Sequence, residues 1–183
     1  MTNIPHILET HLAGCYRLQL PVHVDVRGHF VKTFHAPAFS TKGLQLQFEE
    51  DFFSVSRKDV LRGFHFVTPP LHGAKLVYVI HGRILDAIFD LRQSSATYGQ
   101  FQWTELNAEQ GDALYLAAGI AHAFLTLSDS ATVGYKTQFA HNPAHDAGIR
   151  WNSTPVHWPV SNPVISERDR VLPSLDQFSN PFL

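Results

Sequence analysis

The sequence predicts an all-β fold, a β-sandwich or barrel followed by a short helical C-terminal tail, on three observations. Short apolar segments alternate with turn residues about every ten positions, the rhythm of antiparallel strands. Stretches with helical period are scarce. From Pro155 onward the chain changes character, because Pro159, Pro163, Pro173 and Pro181 bar a central strand there. In chain order, strands are expected at Tyr16–Val22 and Phe30–Phe34, which flank a turn at Asp25-Val26-Arg27-Gly28, and then at Gln45–Ser56 and around Leu61–Phe66. Further strands follow at Lys75–Ile80, Arg83–Asp90, Gly99–Leu106, Ala113–Leu116, His122–Leu127 and Thr132–Phe139. His81-Gly82 reads as a hairpin turn, with glycine supplying the positive φ that a tight turn needs. In the tail, which is expected to wrap the barrel, Ser166 is placed as the N-cap of a short helix in Ser166-Glu167-Arg168-Asp169.

The chain, 183 residues long, fits a single domain over 1–183, large enough to bury a core without staples. Net charge is −2 and charged residues are 16% of the total, so nothing marks a nucleic-acid or acidic-membrane partner. Cys15 is the single cysteine, which excludes an internal disulfide and any Cys-rich zinc site. Met1 to Leu20 lacks the basic start and apolar centre of a secretory signal. No stretch approaches the roughly 20 apolar residues of a spanning helix. A soluble, cytoplasmic protein is the expectation.

Five features could carry chemistry. His65 sits between two aromatics in Leu61-Arg62-Gly63-Phe64-His65-Phe66. A lone His on such a strand is more often structural. Lys75 opens Lys75-Leu76-Val77-Tyr78-Val79, and period-2 alternation puts it on the face of Val77 and Val79. If those valines point inward, so does the ammonium, at a cost unless negative charge meets it. The alternative is a strand-end lysine curling out to solvent. His122 follows two glycine turns that bracket a short strand, in Gly111 to Gly119-Ile120-Ala121-His122, a pattern that resembles the second cupin motif except that Ala117 stands at the usual proline. Tyr135 alternates with Val133, Thr137 and Phe139, and core packing is its default role. Asp169 follows Ser166, where a carboxylate favours a helix N-terminus. A metal is the rival explanation for twelve histidines, but His65-Phe66-Val67 stands where metal cupins have a His-x-His pair, and His65 with His122 are too few ligands. No metal is expected.

Taken together, the segments resemble the RmlC family of nucleotide-diphospho-4-keto-6-deoxyhexose 3,5-epimerases, from about Tyr16 to Asp169. The resemblance rests on Asp25-x-Arg27-Gly28-x-Phe30, Val60-Leu61-Arg62-Gly63-Phe64-His65-Phe66, Lys75-Leu76-Val77, and Asp90-Leu91-Arg92 with Thr97-Tyr98-Gly99. It continues through Gly119-Ile120-Ala121-His122, Tyr135-Lys136, Gly148-Ile149-x-Trp151-Asn152 and Ile165-Ser166-x-x-Asp169. It implies a cupin-type jelly roll that dimerises through its N-terminal strands and uses no cofactor. It implies that His65 is the base acting next to the C4 ketone, with Asp169 orienting it, Lys75 stabilising the enolate and Tyr135 returning a proton. Arg27 and Arg62 would contact the diphosphate, Phe30 would pack against the base and His122 would line the sugar pocket. The product would serve a deoxysugar pathway.

Two departures from the family pattern bear on the substrate. Lys32 stands where a glutamate usually accepts from thymine N3; a lysine only donates, which suits the bare N3 of cytosine. The alternative is Lys32 in solvent. Glu50-Asp51-Phe52-Phe53-Ser54 replaces a Gln-x-Asn-x-Ser pattern, so Glu50 and Phe52 stand where amides are usual. The apolar Phe52 fits a sugar lacking a hydroxyl. The expected partner is thus a dTDP- or CDP-linked 4-keto sugar, with C5-only inversion of a CDP-linked 3,6-dideoxy sugar as the alternative reading and a non-catalytic sugar-nucleotide-binding cupin as the third.

Overall fold

The computed structural model describes residues 4–44 and 47–183. Its strands are β1 (His6–Glu9), β2 (Tyr16–Gln19), β3 (Val22–Asp25), β4 (Gly28–Val31), β5 (Glu50–Arg57), β6 (Leu61–Val67), β7 (Lys75–His81), β8 (Arg83–Asp90), β9 (Phe101–Asn107), β10 (Asp112–Leu116), β11 (Ile120–Thr126), β12 (Ser130–Thr137) and β13 (Asp146–Gly148). Two short α-helices, α1 (Ala36–Ser40) and α2 (Glu167–Arg170), and two 3-10 turns, Ala108–Gln110 and Trp151–Ser153, complete the set among the described residues. The strands form a six-stranded sheet in the order β1-β2-β10-β7-β12-β5 and a five-stranded sheet in the order β13-β6-β11-β8-β9, all pairs antiparallel. β3 and β4 pair only with each other, as a separate ribbon.

The expected strand at Tyr16–Val22 is in fact two. Pro21 has no N–H for the ladder, so β2 stops at Gln19 and the chain re-enters extended structure as β3. The strand expected at Phe30–Phe34 starts earlier, at Gly28, and ends at Val31. Gln45 and Leu46, the start of another expected strand, lie outside the described residues, and β5 begins at Glu50. Sequence periodicity did not mark β1, β13 or α1. The first two are too short to show alternation, and α1 is a single turn with Pro37 near its start, where a missing N–H costs nothing.

Alternation sorts the apolar residues into layers. Val77 and Val79 of β7, Ile84 and Ile88 of β8, Phe124 of β11 and Val133 of β12 meet between the sheets. Each such side chain contributes roughly 1.5–3 kcal/mol when fully buried. Leu76, Tyr78, Ala113 and Tyr115 face outward from the six-stranded sheet and are covered by Phe39 of α1. Phe64, Phe66, Ala121 and Ala123 face outward from the other sheet, beneath Val156, Trp158, Phe178 and Phe182 of the tail. Asp90, at the end of β8, is fully buried and accepts hydrogen bonds from Arg92, Ser95 and Thr97, pinning the following turn. Among the described residues no helix is long and apolar enough to cross a membrane.

One irregularity decides what the sandwich can present inside. On β11, His122 pairs with His65 and Phe124 with Arg62, so two residues of β11 span three of β6. The extra residue is a β-bulge beside Gly63, which adopts φ +116°. A Cβ at Gly63 would lie 2.5 Å from the His122 carbonyl oxygen and 2.6 Å from Ala123 Cα, so only glycine allows the two strands to approach. Gly63→Ala is expected to cost about 1–3 kcal/mol, because both the backbone conformation and the close approach are lost. It should appear as a lower urea midpoint with an unchanged slope; a wild-type midpoint would mean that β6 and β11 part freely.

Candidate active site

A cavity of about 780 Å³ opens between the sheets and is lined from both. His65 and Arg62 on β6 and His122 on β11 come from the five-stranded sheet; Lys75 on β7, Tyr135 on β12, and Glu50 and Phe52 on β5 come from the other. Simple alternation would send Arg62 and His65, three residues apart, to opposite faces. The bulge at Gly63 turns both inward. Lys75 follows the valines of its own strand into the interior, as the alternation predicts.

Asp169, 2% exposed, stands behind His65, whose Nε2 lies 2.6 Å from its Oδ1. The carboxylate can only accept, so Nε2 donates and the other ring nitrogen is left with a basic lone pair. The second carboxylate oxygen accepts the Gly63 N–H at 3.3 Å. Ser166 caps α2 by accepting from the Asp169 backbone N–H at 3.1 Å, which fixes the carboxylate's place on its turn. Burial alone would raise the Asp169 pKa, but the bond to His65 and its charge, the Gly63 amide and Arg168 together hold it below the ordinary 3.8.

Lys75 is half-buried at the cavity wall and makes no hydrogen bond or ion pair among the described residues. Loss of solvent brings its pKa down from 10.5 to about 8, while Asp146 and Asp86 pull the other way. A cation with unused hydrogen-bond donors is ready to meet an oxyanion. Tyr135, 8% exposed, lies under Phe52, stacked at 4.9 Å and 21°, and its hydroxyl is 3.3 Å from Ser54 Oγ. Burial pushes the phenol pKa above the usual tyrosine range, Ser54 and Arg62 opposing and Asp86 adding to the rise, so it holds a proton as a reserve acid. His122 is buried, lies edge-on to Tyr135 at 6.3 Å, and Nε2 donates to Asp86 Oδ2 at 2.7 Å.

Arg62 reaches Ser56 Oγ at 2.9 Å and the Val55 carbonyl at 3.3 Å. Glu50 accepts the His141 backbone N–H at 2.8 Å. Asp51 accepts from Tyr78 and is ion-paired with Lys136, and Arg168 bridges to Asp146 at 2.7 Å. Among the described residues no three His, Cys, Asp or Glu side chains are grouped so that they could hold a metal.

Three expected site residues stand apart from this cavity within one chain. Arg27 sits at the exposed tip of the β3–β4 ribbon, bonded to Asp25; Phe30 is 59% exposed and lies near His23, not near the base; Lys32 follows β4. The expectation that Phe30 packs against His65 fails inside one subunit, because the ribbon pairs with neither sheet. Sequence reasoning also passed over Ser54, Asp86, Asp146, His141 and Arg168. Asp86 was legible, as an acid inside the apolar run Ile84-Leu85-Asp86-Ala87-Ile88. Asp146, His141 and Arg168 come from the short β13, its preceding loop and α2, where no local pattern announces a site.

The family described as dTDP-4-dehydrorhamnose 3,5-epimerase matches residues 9–177. A protein of that name from Methanothermobacter thermautotrophicus is 39% identical over 168 residues, covering 89% of this chain and 90% of that one. The crystal structure of NovW, a 4-keto-6-deoxy sugar epimerase of Streptomyces spheroides, superposes with a TM-score of 0.90 at 31% identity over 96% of this chain and 90% of the other. The enzyme RmlC of Legionella pneumophila, in complex with dTDP-4-keto-L-rhamnose, reaches a TM-score of 0.91 at 28% identity, with 98% and 97% covered. The shared architecture is the cupin-type jelly roll.

The Asp169 pair carries a pH signature. A carboxyl whose folded pKa is depressed stabilises the fold above its unfolded pKa, about 3.9, and that contribution is lost as pH falls through the lower folded value. Asp169→Asn should therefore be less stable than the parent at neutral pH, and the gap should narrow below about pH 4. Urea titrations across that range check it; a gap that stays constant would show that the carboxylate's charge contributes nothing.

Proposed function

We propose a mechanism from one premise: the chain belongs to the dTDP-4-dehydrorhamnose 3,5-epimerase family. It is an epimerase, an isomerase that inverts carbon centres of a sugar. Its substrate is a nucleotide-diphospho-4-keto-6-deoxyhexose. The observation that carries the mechanism is the placing of a His–Asp pair on one sheet and a lysine and a tyrosine on the other, all facing one cavity.

The ketone at C4 acidifies the neighbouring C–H bonds, because the electron pair left behind can shift onto oxygen. The free ring nitrogen of His65 removes that proton, and Asp169 stabilises the imidazolium that forms. The C–H pair becomes a carbon–carbon double bond while the carbonyl pair moves to oxygen. Lys75 meets this developing charge, which stabilises the transition state more than the ground state. Tyr135 then gives its proton to the carbon from the opposite wall, and the configuration inverts. His65 has gained one proton and Tyr135 has lost one, so exchange with solvent restores both. Arg62 offers a planar donor to the diphosphate and His122 lines the sugar side.

Arg27, Phe30 and Lys32 enter through a second copy of the chain. Val24, Val26 and Phe30 expose large apolar surface on a ribbon without a sheet of its own, a surface suited to a homodimer in which each ribbon completes the partner's site. Phe52, stacked on Tyr135, keeps a second substrate in view: a CDP-linked 3,6-dideoxy-4-keto sugar inverted only at C5, with Lys32 donating to cytosine N3.

Proton NMR of dTDP- and CDP-linked 4-keto sugars incubated with the protein in deuterated water tests both readings. Carbon-bound deuterium at C3, C5 or both is expected, and His65→Asn should slow its entry by about 10²–10⁴-fold. No exchange in the unaltered protein would leave a binding module. Undiminished exchange in the variant would assign the base elsewhere. The ribbon is tested by mixing Arg27→Ala with His65→Asn, each impaired alone: partial recovery is expected from mixed dimers that hold one intact site. No recovery from subunits shown to exchange would confine the site to one chain.

A further inference from the structure

Asp86 is the feature the mechanism has not used. It lies at the centre of β8, turned inward with Ile84 and Ile88, and is 1% exposed. Oδ2 accepts from His122, but Oδ1 is buried with no hydrogen-bond partner among the described residues. A buried carboxylate oxygen without a hydrogen-bond partner is costly unless its charge meets another group.

The cations around the cavity narrow the choice. Arg62 on β6 donates to Ser56 and the Val55 carbonyl and keeps its other donors for the diphosphate, Lys136 on β12 is paired with Asp51 of β5, and Arg168 of α2 with Asp146 of β13. Among the described residues Lys75 is the cavity cation without a hydrogen-bond or ion-pair partner, and the carboxylates of Asp146 and Asp86 favour its charged form. Asp146 exerts the larger pull, but it is already shared with Arg168 and is 23% exposed, so solvent screens it. Asp86 is 1% exposed, so solvent screens it far less, and its one direct partner is the His122 ring. The other titratable groups that share the cavity are Glu49, which accepts the Ala140 N–H, Glu50 on β5, His65 on β6, His122 on β11, Tyr135 on β12 and His141, 3.9 Å from Asp146. Tyr135 keeps its proton, and Glu50 is held by the His141 amide.

We propose that Asp86 is a positioning residue whose buried carboxylate keeps Lys75 in its ammonium form and locks the His122 ring with Nε2 as donor. This rests on the reading that Lys75 stabilises an enolate, since only the charged amine can do so. Three strands are thereby coupled: β8 supplies the negative charge, β11 the ring that fixes it, and β7 the cation it serves. The lysine can then remain without a hydrogen-bond partner and charged at once, leaving its donors for the substrate oxygen.

The charge relation is tested without any substrate, which separates it from the epimerase reading. Lysines labelled at Cε give an NMR titration in which Lys75 is one of five resonances, with Lys32, Lys42, Lys58 and Lys136 as internal references. In Asp86→Asn the Lys75 midpoint is expected to fall by on the order of one pH unit, a tenfold loss of ammonium at a given alkaline pH. Asp86→Glu, which keeps the charge, should restore most of it. With a 4-keto sugar nucleotide present, the alkaline limb of deuterium exchange should move down by the same amount; a purely structural role would lower the rate at every pH and leave the limb in place. A Lys75 midpoint unchanged in Asp86→Asn overturns the proposal. Were Asp86→Asn not to fold, carbon-13 NMR of aspartate carboxyls in the unaltered protein decides. Asp86 must be ionised from about pH 6 to 9, and a protonated carboxyl there refutes the assignment.

Discussion

The site depends on how closely β6 and β11 approach at Gly63. With no Cβ to meet the His122 carbonyl, the strands run together and β6 takes up one extra residue, which rotates the strand between Arg62 and His65. Period-2 geometry otherwise forbids both side chains from facing the same space. The same shift sets His65 directly across from His122 and brings the Gly63 amide to Asp169. A backbone requirement met by a residue without a side chain thus underlies the placing of His65, of Asp169 behind it and of Arg62.

Placing charge inside a sandwich is expensive, and the costs are met in pairs. An ion taken from water into the interior loses several kcal/mol even after relaxation. Asp169 recovers this through His65, the Gly63 amide and the cap of α2, and its carboxyl is held ionised. Lys75 recovers less, as its lowered pKa records, and it stays short of partners. That deficit is useful: interactions missing in the resting protein are available when negative charge develops on the substrate. Phe52, packed over Tyr135, adds apolar cover that keeps the phenol protonated.

The jelly roll suits inversion of a carbon centre because its two sheets are separate supports. β6 and β7 are consecutive in the chain but belong to opposite sheets, so His65 and Lys75 converge across the interior and not along one ladder. His65 and Tyr135 stand on facing walls, the arrangement that the proposed inversion uses. The β3–β4 ribbon belongs to neither wall and leaves Phe30 and Val26 exposed.

From its residues alone the chain specified its all-β class, most of its strands and the face that Lys75 shares with Val77 and Val79, because alternation, turn residues and proline positions are local properties. The same local logic placed Ser166 at a helix start, and the co-linear motifs pointed to His65, Tyr135 and Asp169. Other features depended on contacts distant in sequence. The split at Pro21 and the single-turn α1 are too short to leave a periodic trace. The shared orientation of Arg62 and His65 arises from a register shift against β11, some sixty residues away. The pairing of Asp86 with His122, the arrival of Asp146 and Arg168, and the separation of Arg27, Phe30 and Lys32 from the cavity follow from which strands are neighbours. Only tertiary structure decides that, because a hydrogen-bonded ladder joins residues by register and not by order along the chain.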